Sequence, residues 1–168
     1  MSADDVILEQ KVIQMIKRLL LILLILFVLI QFIRPAKNQS AVPSPGDIAL
    51  HFHVPDSVSK ILQRSCYDCH SDNTVYPWYD NIQPVGWWLQ YHVNHGKHGL
   101  NFSEFTSYTP AQQVKKLKNI GNEIREDGMP LDSYLWIHRY ATLSPEEKNL
   151  VVAWADSLRV RIAGPADR

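Results

Sequence analysis

The feature that most constrains the fold of this chain is an apolar run over residues 19–30, LLLILLILFVLI, which continues to Ile33 after an interruption at Gln31. A helix that has no polar face lies either in lipid or deep inside a protein core. Residues 19–33 would rise about 22 Å as a helix, and basic side chains at both ends can extend toward water to help span a hydrocarbon core of roughly 30 Å. We therefore predict a retained transmembrane helix over residues 19–33.

Two other interpretations of this run remain open. A cleaved signal peptide has an apolar region of about 7–15 residues followed by a small-residue cleavage site. Here the run is followed by the charged stretch Arg34-Pro35-Ala36-Lys37, which contains no clear site of that kind. A buried core helix is disfavoured because core helices of small domains normally keep one polar face.

The charges that flank the run predict its orientation. Lys11, Lys17 and Arg18 precede it, whereas only Arg34 and Lys37 follow closely. Cytoplasmic flanks of membrane helices carry an excess of Lys and Arg. We expect the N-terminal side to lie in the cytoplasm and the rest of the chain to lie on the periplasmic, or extracytoplasmic, side of the cytoplasmic membrane.

The remaining chain is long enough for one folded domain. Residues 34–47 are polar, contain three prolines and show no periodicity, which is typical of an extended linker. The predicted organisation is a cytoplasmic tail, a transmembrane anchor, a linker, one folded domain and a second tail, over residues 1–18, 19–33, 34–47, 48–160 and 161–168.

Helical periodicity predicts that the domain is mainly α, with four helices and no strand of useful length. The first helix starts near Pro55 and carries both cysteines on its apolar face. The second covers residues 84–95. The third and fourth each begin with a capping box, in which a Thr or Ser side chain and a Gln or Glu three residues later bond each other's backbone. These pairs are Thr109 with Gln112 and Ser144 with Glu147.

The same periodicity predicts which side chains are buried and where the third helix ends. Gly128 is expected just beyond that helix, at the position where glycine is favoured. Residues 70–83 and 96–108 are expected to be long loops with a functional role. The buried faces of the second and fourth helices are predicted to contain Val85, Trp88, Leu89 and His92, and Leu150, Val151, Trp154 and Leu158, respectively.

Both cysteines of the chain lie in one short motif, Cys66-Tyr67-Asp68-Cys69-His70. Cysteines three residues apart on a helix share a face, so both sulfurs can bond the two vinyl groups of a haem, and the adjacent histidine can reach the iron. C-x-x-C-H is the attachment motif of c-type haem. The motif predicts one covalent haem c, attached through Cys66 and Cys69, with His70 as an axial ligand of the iron.

Three other kinds of chemistry remain possible for the cysteine pair. A redox-active dithiol would be expected after a strand in a βαβ unit, and no such pattern is visible. A zinc site needs four ligands, which His92 and His95 would have to complete at an unusual spacing. A structural disulfide is the third alternative.

Met129 is the predicted second axial ligand of the iron. It is the only one of the three methionines within residues 48–160, and it lies in a turn between Gly128 and Pro130. Ligation by Met and His raises the reduction potential of a haem and is typical of electron transfer. His92 is the main alternative ligand, and an open sixth position is the other.

Several strings around these residues resemble the bacterial haem-binding domain family over residues 48–158. The resemblance implies a small cytochrome c-like domain with one haem, often behind a membrane anchor, with Cys66, Cys69, His70 and Met129 in the usual roles. It also implies that a proline carbonyl, from Pro77 or Pro84, orients the histidine. The matching strings are CYDCHS from Cys66, YPWY from Tyr76, QPVGWW from Gln83, NFSE from Asn101, GMPL from Gly128 and YLWIH from Tyr134.

These observations favour electron transfer outside the cytoplasm over catalysis, because no acid/base pair, nucleophile triad or phosphate loop accompanies the motif. A haem-based sensor or ligand-binding module and a peroxidase-like enzyme are the alternatives.

Lys and Arg together number 17, as do Asp and Glu, so no basic surface for nucleic acid is indicated. The expected partners are the membrane and a redox protein that the sequence does not identify. The aromatic residues between Tyr76 and Trp88 are expected to pack mostly around the cofactor.

Overall fold

The computed structural model describes residues 3–164. Within that range it contains helices and no strand, apart from an isolated bridge between Gln39 and Asn73, so the mainly α prediction is confirmed. Eight α-helices follow in chain order: α1 Ala3–Ile30, α2 Ile48–His51, α3 Asp56–Ser65, α4 Tyr67–His70, α5 Val85–Gly99, α6 Pro110–Arg125, α7 Asp132–Leu135 and α8 Pro145–Ala163. Three 3-10 helices cover Trp78–Asn81, Phe102–Ser107 and Arg139–Ala141.

The chain divides into two compact units. The first unit consists of the chain up to Ala36 together with Tyr76–Gln90, and the second consists of Lys37–Val75 together with the chain from Tyr91 onward. Each unit is therefore built from two separate stretches of sequence.

The first unit contains α1, whose stretch Ile7–Ile30 is long and apolar enough to cross a membrane. Its most apolar window of 18 residues has a mean hydropathy of 2.6. The 24 residues together would rise about 36 Å, more than the roughly 30 Å of a hydrocarbon core. The helix starts well before residue 19, where the anchor was predicted to begin. Residues 7–18, which have mixed polar and apolar side chains, are also helical. It ends at Ile30, three residues before the predicted end, and Gln31 begins a turn.

The second unit has its core between α6 and α8, with α3 packed against α8. Both predicted capping boxes are present, at Thr109 and at Ser144. The largest fully buried side chains of this core include Phe102, Phe105, Leu62, Leu117 and Leu158. Arg64 of α3 and Glu147 of α8 form an ion pair at 2.9 Å that joins the two helices at their surface.

Some predicted helix faces are wrong. Val85 and Trp88 are 38% and 47% exposed, whereas Gln90 and Val93 of the same helix are buried. Leu150 is 46% exposed, although it was predicted to be buried together with Val151. In α5 and α8 large apolar residues lie on more than one side of the helix, so the apolar spacing alone does not identify the buried face.

The segment over residues 34–47 contains no helix, yet part of it is hydrogen-bonded to the chain that follows α4. The Asn38 side-chain amide donates to the Ser71 carbonyl at 2.8 Å and to the Thr74 hydroxyl at 2.9 Å. The Ser40 amide donates to the Asp72 carbonyl at 3.0 Å. This segment therefore lies along the loop that follows the cysteine motif.

Candidate haem site

The cysteine motif lies at a break between two helices and not within one long helix. Cys66 ends α3 with a φ of −129°, and its amide donates to the Leu62 carbonyl. The Cys66 carbonyl then accepts from the amides of Cys69 and His70, at 3.2 and 3.0 Å, which closes the single turn of α4. Cys66 and Cys69 are not joined by a disulfide bond. The break still leaves Cys66, Cys69 and His70 on one turn of backbone.

His70 is held as a neutral imidazole with a defined ring orientation. Its Nδ1 lies 3.0 Å from the Leu100 carbonyl oxygen, and Nδ1–H is the donor because a carbonyl only accepts. The lone pair is therefore on Nε2, the nitrogen available to a metal. Burial lowers the pKa of His70, which also favours the neutral form. A backbone carbonyl that fixes the ring of a ligating histidine is typical of metal sites.

The carbonyl that orients His70 belongs to Leu100, so the expectation of Pro77 or Pro84 is wrong. Leu100 follows the end of α5, and its amide donates to the Gly96 carbonyl at 2.8 Å. The sequence gives no sign of this partner, because Leu100 is 30 residues from His70.

Two cavities meet at the motif. One has a volume of about 200 Å³ and is lined mainly by apolar residues that include Leu62, Phe102 and Ile120, with Lys116 and Glu123 also in its lining. The other has a volume of about 340 Å³ and is lined on one side by α5. Both share Ser65, Cys66, His70, Met129 and Pro130. The structure thus brings Met129 to the same place as Cys66 and His70, and Cys69 lines the larger cavity.

The turn after α6 fixes the backbone at Met129. Asp127 adopts the left-handed conformation, with a φ of 57°, and not Gly128 as predicted. The amides of Gly128 and Met129 both donate to the Glu123 carbonyl, at 2.8 and 3.3 Å. Lys148 of α8 forms an ion pair with Asp127. Asn and Asp tolerate the left-handed region better than other side chains, so an Asp here is a recognised substitute for glycine.

His92 and His95 line the larger cavity together with Met129. The ring of Tyr91 stacks on the ring of His95 with the centroids 5.9 Å apart, and it meets the ring of His92 edge-on at 5.6 Å. His92 therefore keeps its place as the alternative axial ligand.

Sequence reasoning missed the contribution of Asp68 and Tyr134. The Tyr134 hydroxyl donates to one Asp68 carboxylate oxygen at 2.7 Å, and the Val75 amide donates to the other at 3.0 Å. Burial raises the pKa of Tyr134, and the bond to Asp68 raises it further, so the phenol stays protonated as a donor. These contacts tie α7 and the loop after the motif to the residue between the two cysteines. Only the resemblance of the YLWIH string marks Tyr134 in the sequence.

The environment of the thiols disfavours two of the alternative chemistries. Burial raises the pKa of Cys66 to about 12 and that of Cys69 to about 11, whereas a reactive dithiol needs a lowered pKa. Within residues 3–164 no group of three or more His, Cys, Asp or Glu side chains is arranged to hold a metal ion, so a zinc site has no ligand set in that range. Two neutral thiols, one oriented histidine and a methionine around apolar cavities fit a haem.

The site therefore defines a helical haem-binding protein, and comparison with known families agrees. The family model described as "Haem-binding domain" matches residues 25–157, which is most of the chain. The chain belongs to this family, and haem is its cofactor. No curated protein and no solved structure matches the chain significantly.

Gly96 sets how closely α5 approaches the motif. A Cβ atom at this position would lie 2.6 Å from the Cys69 carbonyl oxygen and 3.0 Å from the Cys69 Cβ. Gly96→Ala is therefore expected to displace Cys69 and to destabilise the fold by about 1–3 kcal/mol, the usual range for overpacking. Denaturant unfolding of the purified variant measures the loss.

Gly99→Ala is the matched control, because the same helix has nothing within 4 Å of a Cβ at Gly99. This variant should be neutral or stabilised by up to about 1 kcal/mol through higher helix propensity. Equal losses of stability in the two variants would show that the contact with Cys69 is unimportant.

Proposed function

We propose that this chain is a membrane-anchored electron-transfer protein with one covalent c-type haem. Cys66 and Cys69 would form the two thioether bonds, and His70 and Met129 would be the axial ligands. When bound, the haem supplies one-electron oxidation and reduction. The observation that carries the proposal is that Met129 lines both of the cavities that meet at Cys66 and His70.

The residues of the chain have separate tasks in this proposal. The Leu100 carbonyl holds the proton on Nδ1 of His70 and so directs Nε2 toward a metal. Leu62, Phe102 and Ile120 give one side of the motif an apolar lining, which would limit the access of water there. A hydrophobic shell limits solvent access and thereby tunes the potential of a redox centre. Ligation by both His70 and Met129 leaves no open position, which suits electron transfer better than ligand binding or catalysis.

The location of the protein is part of the same proposal. The apolar helix α1 would anchor the chain in the cytoplasmic membrane, with residues 34–168 on the periplasmic side. The excess of Lys and Arg on the N-terminal side of the apolar run over residues 19–30 supports this orientation. Haem attachment through cysteines also agrees with it, because this motif normally occurs in exported proteins.

A haem-based sensor or a peroxidase-like enzyme is the second candidate, since His92 and His95 lie beside the larger cavity. Either function requires an iron with an open or labile sixth position. Rapid binding of carbon monoxide to the reduced protein would favour a ligand-binding function. Turnover of peroxide well above that of free haem would favour the enzyme.

A haem stain on a denaturing gel tests the attachment. The wild-type chain, produced with a c-type maturation system and exported, is expected to give a stained band at its own mass, because only covalent haem survives unfolding. The double variant Cys66→Ala/Cys69→Ala is expected to lose the stain completely.

Met129→Ala is the matched control on the same gel, since it removes a proposed iron ligand but neither thioether bond. Its stain should equal that of the wild type. Wild-type protein that is present on the gel but unstained would refute covalent attachment.

A further inference from the structure

The chain just beyond α1 is bonded to a distant stretch of sequence in the first unit. The Gln31 side-chain amide donates to the Gln83 carbonyl at 3.0 Å, and the Gln83 amide donates back to the Gln31 side-chain oxygen at 2.8 Å. The Trp87 indole N–H donates to the Ile33 carbonyl at 2.7 Å. The stretch Tyr76–Gln90 is therefore attached directly at the end of the apolar span Ile7–Ile30.

This stretch is also held together by its own contacts. The Gln83 side-chain oxygen accepts from the Trp87 amide at 3.1 Å, and Gln83 is 1% exposed. The Tyr76 hydroxyl donates to the Gln90 side chain at 2.7 Å, which joins the two ends of the stretch. A Cβ at Gly86 would lie 2.2 Å from the Asp80 carbonyl oxygen, so the backbone makes a close approach there. These contacts fix the backbone of the stretch, so its exposed side chains are held in defined positions.

Apart from Asn81, the exposed side chains of this stretch are apolar, and none of them is charged. Trp78 is 76% exposed, Trp88 47%, Ile82 39% and Val85 38%. Asp80 is the only Asp, Glu, Lys or Arg between Tyr76 and Gln90, and it is buried. Soluble domains rarely expose a group of apolar and aromatic side chains without charged residues among them. This surface is therefore unusual for one that faces only water.

We propose that Tyr76–Gln90 forms a second contact with the membrane, in which Trp78, Ile82, Val85 and Trp88 enter the interface of the lipid bilayer. Tryptophan is enriched at this depth because its ring is apolar while its N–H can bond to headgroups or water. Lipid is the expected occupant because the stretch is bonded to the residues that leave the apolar span. The inference rests on the proposed anchoring of α1.

Photolabelling from lipid tests this contact on the full-length, haem-loaded protein. The protein is reconstituted into bilayer nanodiscs that contain a phospholipid with a diazirine near its headgroup. After irradiation, the labelled peptides are identified by mass spectrometry. Peptides from 76–90 are expected to be labelled several-fold more than the peptide with Trp136 and Ile137, which are 75% and 65% exposed in the second unit and serve as the internal control.

The results separate this inference from the anchoring itself. Labelling of α1 together with labelling of 76–90 no higher than that of the Trp136 peptide overturns the contact and leaves the anchor in place. Absence of label from α1 overturns both. The variant Trp78→Ser/Trp88→Ser provides a second measurement: it should lose most of the label in 76–90 while α1 keeps its label, and an unchanged pattern counts against the contact.

Discussion

Replacing Met129 with alanine is expected to remove the thioether–iron absorption of the ferric protein and to lower its reduction potential. The thioether is a weak donor that stabilises the reduced iron, so its loss favours the oxidised form. The expected change is on the order of 0.1 V or more, within the roughly 0.8 V that axial ligands span. Optical spectra of the ferric protein and a potentiometric titration measure the two effects.

The position left open in Met129→Ala should also bind carbon monoxide faster in the reduced protein. His92→Ala is the matched control, because His92 lines the same cavity and is the alternative ligand. If His92→Ala changes the spectrum and Met129→Ala does not, the axial assignment is wrong and His92 takes the place of Met129. If neither variant changes it, the sixth position is open and a sensor or enzyme becomes the better hypothesis.

Leu158→Ala is expected to destabilise the second unit by about 3 kcal/mol, within the roughly 2–5 kcal/mol measured for such truncations of buried leucines. Leu158 is 1% exposed on α8, which packs against α6. Truncation removes buried methyl groups, so the free energy gained by transferring them out of water is lost. It also leaves a cavity that the surrounding core fills only in part. Urea unfolding of the full chain in detergent, followed by the absorption of the haem, measures the difference in the free energy of unfolding.

Leu150→Ala on the same helix is the control, and it should cost less than about 1 kcal/mol because Leu150 is 46% exposed. Both leucines are predicted to be buried when α8 is judged from its spacing alone. Similar losses in the two variants would mean that the buried face of α8 differs from the one described.

Local signals in the sequence determined a large part of this protein. The capping boxes at Thr109 and Ser144 depend on residues within one helical turn, so their pattern predicts where α6 and α8 begin. The motif from Cys66 to His70 is equally local, because the proposed haem attachment needs two thiols and an imidazole within five residues of backbone. The apolar span is recognisable for a similar reason, since composition and length alone decide whether a helix can cross lipid.

Contacts between distant residues required the tertiary structure. The Leu100 carbonyl that orients His70 is 30 residues away, and the Tyr134 hydroxyl that bonds to Asp68 is 66 residues away. No spacing rule predicts such pairs, because they depend on how the helices meet. The exposure of Val85 and Trp88 on α5 was predicted incorrectly for the same reason. The sequence determines that a side chain is large and apolar. Only the packing of the folded chain decides whether other residues bury that side chain or it stays exposed on the surface.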